Sequence, residues 1–373
     1  IKPTNQGDEK GKTAMGIFKK KPEKEFKQYI TGAGGSIVTK SILEGKTKLR
    51  WLFREENGVG NGWVAFGASD TQAYLDDPEN LTVVDFNMLA NIEPAVLNVF
   101  YMPPGADLEF KSDRSGDYFV DTRTGEEIRE PVKHPAQIAF ERNLKFLNQK
   151  NYPAEFFYGL FAAGERRKIV SIGEVDFPTG EIVLADPLVY LGDPKYSTYL
   201  NRRIPSGAYP VELCVLFSPI AGLRVAAARM SVNKNPVARY ELAMPRGTEI
   251  GQFGQPGVFS FFGVDAGLAC ICDGETAGAY GRFMEEWERE NPGKNKYDDY
   301  FAGFFAGSYR EQPDVQREGG DFLNWAIPGS GHRVAMFASG MGDGIYSGYW
   351  GLDAEGNVAE LVIPFMNPEF FGA

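Results

Sequence analysis

Over the first third of the chain, short runs of β-forming residues alternate with glycine-rich breaks. "GSIVTKSI" (35–42), "KLRWLFRE" (48–55) and "GWVAFGAS" (62–69) each predict a strand. "LTVVDFNMLANIEPAVLNVF" (81–100) predicts a strand followed by a short helix, with Asn91 or Ile92 near the cap and Pro94 in the first turn. Residues 111–135 are polar, with turn signals at Ser-Gly and Thr-Gly, and predict a small hairpin in a connecting segment. The next segment, 136–150, has apolar positions at 138, 140, 144, 146 and 147, which predicts a helix.

From residue 167 onward the pattern becomes predominantly β. "KIVSIGEVDF", "EIVLADPLVYL", "YPVELCVLF", "LRVAAARMSV", "VARYELAM" and "VFSFFGVDAGLACICD" are strand-like runs separated by Gly and Pro turns. Helices are predicted over 277–291 and 297–310, after which "RVAMFAS", "YSGYWGLDA" and "VAELVIPF" return to strands. Strand blocks interrupted by helices, rather than regular βαβ alternation, define an α+β class. The expected architecture has a tail at 1–30, a small α+β domain at 31–110, and a connecting hairpin and helix at 111–150. A larger β-rich domain, sandwich-like or mixed-sheet with inserted helices, is expected to occupy 151–373.

Composition sharpens this picture. A chain of 373 residues exceeds one typical core, and 43% apolar content is ample for two. The net charge of −11 argues against nonspecific attraction to nucleic acid or anionic lipid and favours a basic partner. Charge is also unevenly spread: residues 1–30 carry eight Lys and four acids, whereas 51–110 carry ten acids and a single basic residue, Arg54. The polar stretch 1–14 is expected to be appended or disordered, with Met15 as the native start. No apolar run is long enough to span a membrane, and the charged start lacks the apolar core of a signal peptide. Cys214, Cys270 and Cys272 form no disulfide framework and no CxxC pair, which fits a reducing cytoplasm and buried small hydrophobes.

Few residues offer chemistry. His134 lies in a polar turn beside proline and His332 precedes a strand, so neither has the neighbours a catalytic base requires. Zinc is not expected, because Cys270 and Cys272 lack a second ligand pair, and no other metal or cofactor is expected. "GAGGS" (32–36) leads into a strand rather than a helix, and "GMGDG" (340–344) lacks the Lys-Ser/Thr of a phosphate loop; both read as turn glycines. Carboxylates are the abundant resource. Asp186, Asp265, Asp273 and Asp343 each end or join an apolar strand beside Gly or Pro, where they either cap turns or gather into a cation or hydrolytic site. "SGMGDGIYSGYWG" (339–351) holds five glycines, as a hairpin needs, and its Tyr346 and Trp350 share a face if the run is one strand. That face, with Asp186, Asp265 and Asp343, is a candidate ligand groove.

The stretch 36–110 resembles a bacterial domain, immunity-protein family thirty-three. The landmarks are the "VTK" strand, "RE" after an aromatic strand, "GW" before an "F-G" strand, "YLDDPEN" and the closing "P-G". Members commonly carry an acid and a serine before the Gly-Trp, where this chain has Gly60 and Asn61. Residues 151–365 resemble the uncharacterised-domain family forty-two forty-one through "PTGEIVLADPL", "IPSGAYPVEL", "RVAAARM", "FGVDAG" and "SGMGDGIYSGYWGLDAEGNVAELVIPF". The first resemblance implies a role in polymorphic toxin systems, protecting the producing cell by neutralising a toxin. The second implies no chemistry.

Three functions stay open. The first is an immunity-type binding protein that occludes a basic protein toxin through an acidic surface, without catalysis. Arg54, Trp63 and Tyr74 would serve as anchors beside Glu55, Glu56, Asp76 and Asp77, because a few buried anchors supply affinity and charge supplies steering. Trp51 and Trp63 are alternatively core residues. The second is a carboxylate- or metal-dependent hydrolase built on Asp186, Asp265 and Asp343. The third is a module binding a peptide or small ligand through Tyr346 and Trp350.

Overall fold

The computed structural model describes residues 26–373, and the chain divides at Lys133/His134 into two compact units. Most of the tail expected at 1–30, including the appended stretch and the start at Met15, lies outside the described residues.

In the first unit, strands β1 (Gly35–Thr39), β2 (Leu49–Arg54), β3 (Trp63–Gly67), β4 (Leu81–Asp85), β5 (Asp107–Asp113), β6 (Gly116–Asp121) and β7 (Glu127–Ile128) form one sheet, in the order β4-β1-β3-β2-β5-β6-β7. β1 and β3 run parallel, and the other neighbours are antiparallel. Three short helices accompany it: α1 (Lys40–Leu43), α2 (Gln72–Leu75) and α3 (Phe86–Ile92). Side chains alternate across the sheet. Val38, Leu52, Ala65 and Leu108 enter a core with Trp63, Phe86 and Leu89, while the opposite face carries Trp51, Phe53, Val64 and Phe66.

The helix in 81–100 begins earlier than the pattern predicts. Asp85 ends β4 and accepts the Asn87 N–H at 2.7 Å, so the helix starts at Phe86; Pro94 opens a separate 3-10 turn, Pro94–Asn98. A capping carboxylate inside an apolar run outweighed the proline signal. The segment 111–150 does not act as one connection. Its hairpin joins the first sheet because Phe119 and Ile128 enter that core. Its helix, α4 (Pro135–Phe146), belongs to the second unit, where the Asn143 amide donates to the Phe365 carbonyl and accepts the Asn367 N–H.

After α5 (Ala154–Leu160), the second unit runs through β8 (Arg167–Phe177), β9 (Glu181–Ala185), β10 (Thr198–Arg203), β11 (Gly207–Ser218), β12 (Gly222–Ser231), β13 (Arg239–Leu242), β14 (Phe262–Val264) and β15 (Leu268–Asp273). Helices α6 (Gly274–Glu290) and α7 (Ala302–Glu311) follow. The chain finishes with β16 (Phe322–Ala326), β17 (Arg333–Ala338), β18 (Gly344–Tyr346), β19 (Tyr349–Leu352) and β20 (Val358–Pro364). A six-stranded antiparallel sheet, β13-β19-β20-β12-β11-β8, faces a five-stranded one, β10-β9-β15-β17-β16, through contacts of β8 with β15, β16 and β17. Helix α6 packs on β9 and β15. Strand β15, "LACICD", is therefore buried at every position, which explains why it reads as continuous apolar sequence rather than alternation.

Candidate functional site

The acidic residues expected to meet a partner occupy opposite ends of the first unit's sheet. Glu55 and Glu56 lie in the turn joining β2 to β3, whereas Asp76, Asp77 and Glu79 lie beyond the other end of β3. Five residues of strand put those ends about 13 Å apart at ~3.3 Å per residue. All five carboxylates are exposed, but they form two groups rather than one patch. At the second end they shape the turn as well as face solvent. Asp77 accepts the Glu79 N–H at 3.0 Å, with Pro78 opening the 3-10 turn, and Asp76 accepts from the Gln72 amide at 2.8 Å. This gives "YLDDPEN" a structural reason for its pattern. Tyr74 is half-buried, and its carbonyl accepts from the Asn80 amide.

Of the expected anchors, Trp63 is interior and Arg54 is half-buried. Trp63 is 0% exposed and donates its indole N–H to the Phe100 carbonyl. Arg54 stacks over the Trp63 ring and donates to the carbonyls of Asn61 and Met102, at 3.0 and 2.6 Å. Burial holds its guanidinium below the usual arginine range. Both side chains hold the β2–β3 turn to the 100–102 segment, and Trp63 has no exposed surface to offer a partner. Asn61, one of the two departures from the family pattern, bonds the Ser36 hydroxyl, the Ala33 carbonyl and the Trp63 N–H. Gly60, the other, has φ +68° and lies so close to the Gly35 carbonyl that a Cβ would overlap it.

The exposed aromatic on the strands of this sheet is Trp51, at 40%. Register places it opposite Phe66, and Phe53 opposite Val64, which continues through Ile37 to Val83, 57% exposed. Phe53 and Phe66 meet edge to face at 5.3 Å, and the Arg50 guanidinium covers the Trp51 ring while pairing with Glu109. This apolar face of the sheet turns away from the core. "LRWLFR" has apolar residues at both parities, so alternation alone could not say which of Trp51 and Leu52 faces in.

In the second unit Asp186, Asp265 and Asp343 do converge, on the turn following β14. Asp186, 0% exposed, accepts the N–H groups of Asp265 and Ala266 at 2.9 and 2.7 Å and that of Leu188 at 2.8 Å. Asp343 accepts the Gly267 N–H at 2.9 Å, and the Asp265 carboxylate receives the Tyr190 hydroxyl. Burial raises the Asp186 pKa, and its backbone bonds oppose that rise. Each carboxylate thus holds backbone or a phenol, and among the described residues no group of three His, Cys, Asp or Glu could hold a metal ion. Asp273 likewise caps α6 through the Glu275 N–H.

Tyr346 and Trp350 do not line a groove. They are 2% and 0% exposed, and they stand on different strands in different sheets: β18 pairs with β14, and β19 with β13 and β20. The break at Ser347–Gly348 removes the continuous strand that would have put them on one face. The Tyr346 hydroxyl donates toward the Ser339 and Gly342 carbonyls, at 3.0 and 2.7 Å, and pins the glycine turn from inside; the Trp350 indole donates to the Asn201 side chain. His134 caps α4 by accepting the Ala136 N–H, and His332 lies beside the Thr276 hydroxyl.

The molecule is an α+β protein with a small mixed-sheet unit followed by a β-rich unit of two facing sheets. Residues 36–119 match the family described as Immunity protein Imm33 domain, and residues 175–363 match Protein of unknown function (DUF4241). The second match covers half of the chain, which belongs to that family. Both resemblances carried by the sequence landmarks are met. No curated protein and no solved structure matches the chain.

Proposed function

We propose that the protein is an immunity-type binding protein that neutralises a bacterial toxin in the cytoplasm of the producing cell by occluding it, without chemistry of its own. The observation that carries this reading is the match of residues 36–119 to an immunity-protein domain. The first unit's geometry supports a specific mode of contact. Trp51, Phe53, Phe66 and Val83 offer an apolar face on a rigid sheet, and aromatic residues on such faces dominate interface energetics. The exposed Asp76, Asp77 and Glu79 follow from the strand end next to Phe66 and would steer a basic toxin toward that face.

The test is titration calorimetry of the full chain against the toxin encoded beside its gene. Trp51→Ala is expected to weaken binding by about 10- to 100-fold through faster dissociation. Charge reversal of Asp76 and Asp77 to Lys is expected to slow association and flatten its salt dependence. Unchanged binding in Trp51→Ala would remove the proposed face, and absence of binding at low salt would remove the proposed function. The hydrolase reading gains nothing from the second unit, because its converging aspartates are held by backbone N–H groups and a phenol.

A further inference from the structure

The second unit holds a cleft of about 470 Å³ beneath the same glycine turn. Its lining includes the 266–268 and 340–342 segments, Arg224, Arg317, Asp321 and Tyr297, and the exposed Asn295 and Asp298. The volume lies in the range of small-ligand sites. Gly267 and Gly342 have φ of +67° and +113° and put no side chain into the cleft, while the N–H groups of Ala266, Gly267 and Gly342 already donate to Asp186, Asp343 and the Ser339 carbonyl.

The two guanidiniums differ in their partners. Arg317 donates from Nε and Nη2 to Asp321 at 2.8 and 2.6 Å, and its backbone N–H donates to the other Asp321 oxygen at 2.6 Å. Asp321, 1% exposed, is thereby fully engaged. Arg224, at the start of β12 and half-buried, donates to the Leu223 carbonyl at 2.7 Å, and among the described residues no carboxylate lies within ion-pair distance of it. Burial and the charge of Arg317 both disfavour its charged form, with Asp321 offsetting them in part. A half-buried cation beside a second cation is costly unless an anion completes the set, and guanidinium meets carboxylate or phosphate oxygens in a two-pronged geometry.

We propose that this cleft binds a small ligand through an oxyanion, a carboxylate or a phosphoryl group, seated on Arg224 against the Gly340–Gly342 turn. Asp298, exposed in the cleft lining, accepts hydrogen-bond donors from the rest of the ligand. All of its lining residues belong to the second unit, so the proposal does not rest on toxin binding by the first.

The test uses the full chain, with thermal unfolding and calorimetric titration in sodium phosphate and, separately, sodium succinate, at constant ionic strength set with chloride. At least one of the two anions is expected to bind saturably, phosphate alone indicating a phosphoryl ligand and succinate alone a carboxylate. Arg224→Gln should weaken that binding at least about 10-fold, Arg224→Lys should retain part of it, and Arg203→Gln, outside the cleft, should leave it unchanged. A measurement on the unaltered protein complements these variants: the binding anion should protect Arg224, and not Arg203, from phenylglyoxal modification read by mass spectrometry. The site is overturned if neither anion binds saturably, if Arg224→Gln binds as the wild type does, or if Arg224 gains no protection.

Discussion

Burial and hydrogen bonding act in opposite directions on the ionisable side chains of this molecule. The three cysteines lie inside the sheet core, and burial pushes the Cys214 thiol up to about 12. A thiol reagent such as Ellman's at pH 8 should therefore find no reactive cysteine in the folded second unit and three after denaturation; prompt labelling of the native protein would contradict this burial. Asp353 behaves oppositely. The Asn235 side chain first, then the Asn357 and Glu355 N–H groups, hold its carboxyl below the ordinary value of 3.8. A lowered folded pKa stabilises at pH above 3.8 and is lost as pH falls through the depressed value. Asp353→Asn should accordingly be less stable than wild type at neutral pH, with the gap in denaturant midpoint narrowing below pH 3.8. At this scale the sequence showed that aspartates end apolar strands beside glycine, but not that Asp186, Asp265 and Asp343 meet at one turn.

Among the elements, the glycine turn before β18 combines two constraints. Gly340 has φ +66°, and a Cβ there would lie 2.9 Å from both Phe365 Cβ and Met366 Cγ. Gly340→Ala should cost on the order of 2–4 kcal/mol from left-handed strain and overlap together, measured by chemical denaturation. Tyr346→Phe removes the hydroxyl that serves the Ser339 and Gly342 carbonyls and should cost about 1–2 kcal/mol. The turn character of this stretch was legible because glycine's positive φ is a local property. The split between β18 and β19 was not, because each strand is defined by partners far along the chain. The early start of α3 had a local signal in Asp85, although the strand-like run preceding it obscured the cap.

For the whole molecule, the two cores draw on separate parts of the chain: one from residues 33–128 and the other from 139–371. Residues 134–373 expressed alone should therefore unfold in one cooperative transition; loss of that cooperativity would mean the second core is incomplete. Trp51 and Trp63 separate binding from folding in the first unit. Trp63→Ala should destabilise it by roughly 3–5 kcal/mol, whereas Trp51→Ala should leave its unfolding nearly unchanged, as circular dichroism melts can show. The acidic run that stands out between Arg54 and Glu79 in the linear sequence is divided by β3, since a strand carries its two flanking loops to opposite ends of a sheet.

Periodicity, turn residues and charge counts determined by themselves that this is an α+β protein with β-rich content after residue 167, buried cysteines and an acidic first domain, because those features follow from neighbours within a few residues. Family landmarks spread along the chain were legible for the same reason. Tertiary structure alone decided that Trp63 is internal and Arg54 half-buried while Trp51 is exposed, that three distant aspartates share a turn, and that Arg224 lies beside the Arg317–Asp321 pair. Those outcomes depend on strand register and sheet facing, which bring together positions such as Asp186 and Asp343, far apart in the chain, and leave no trace in the local pattern.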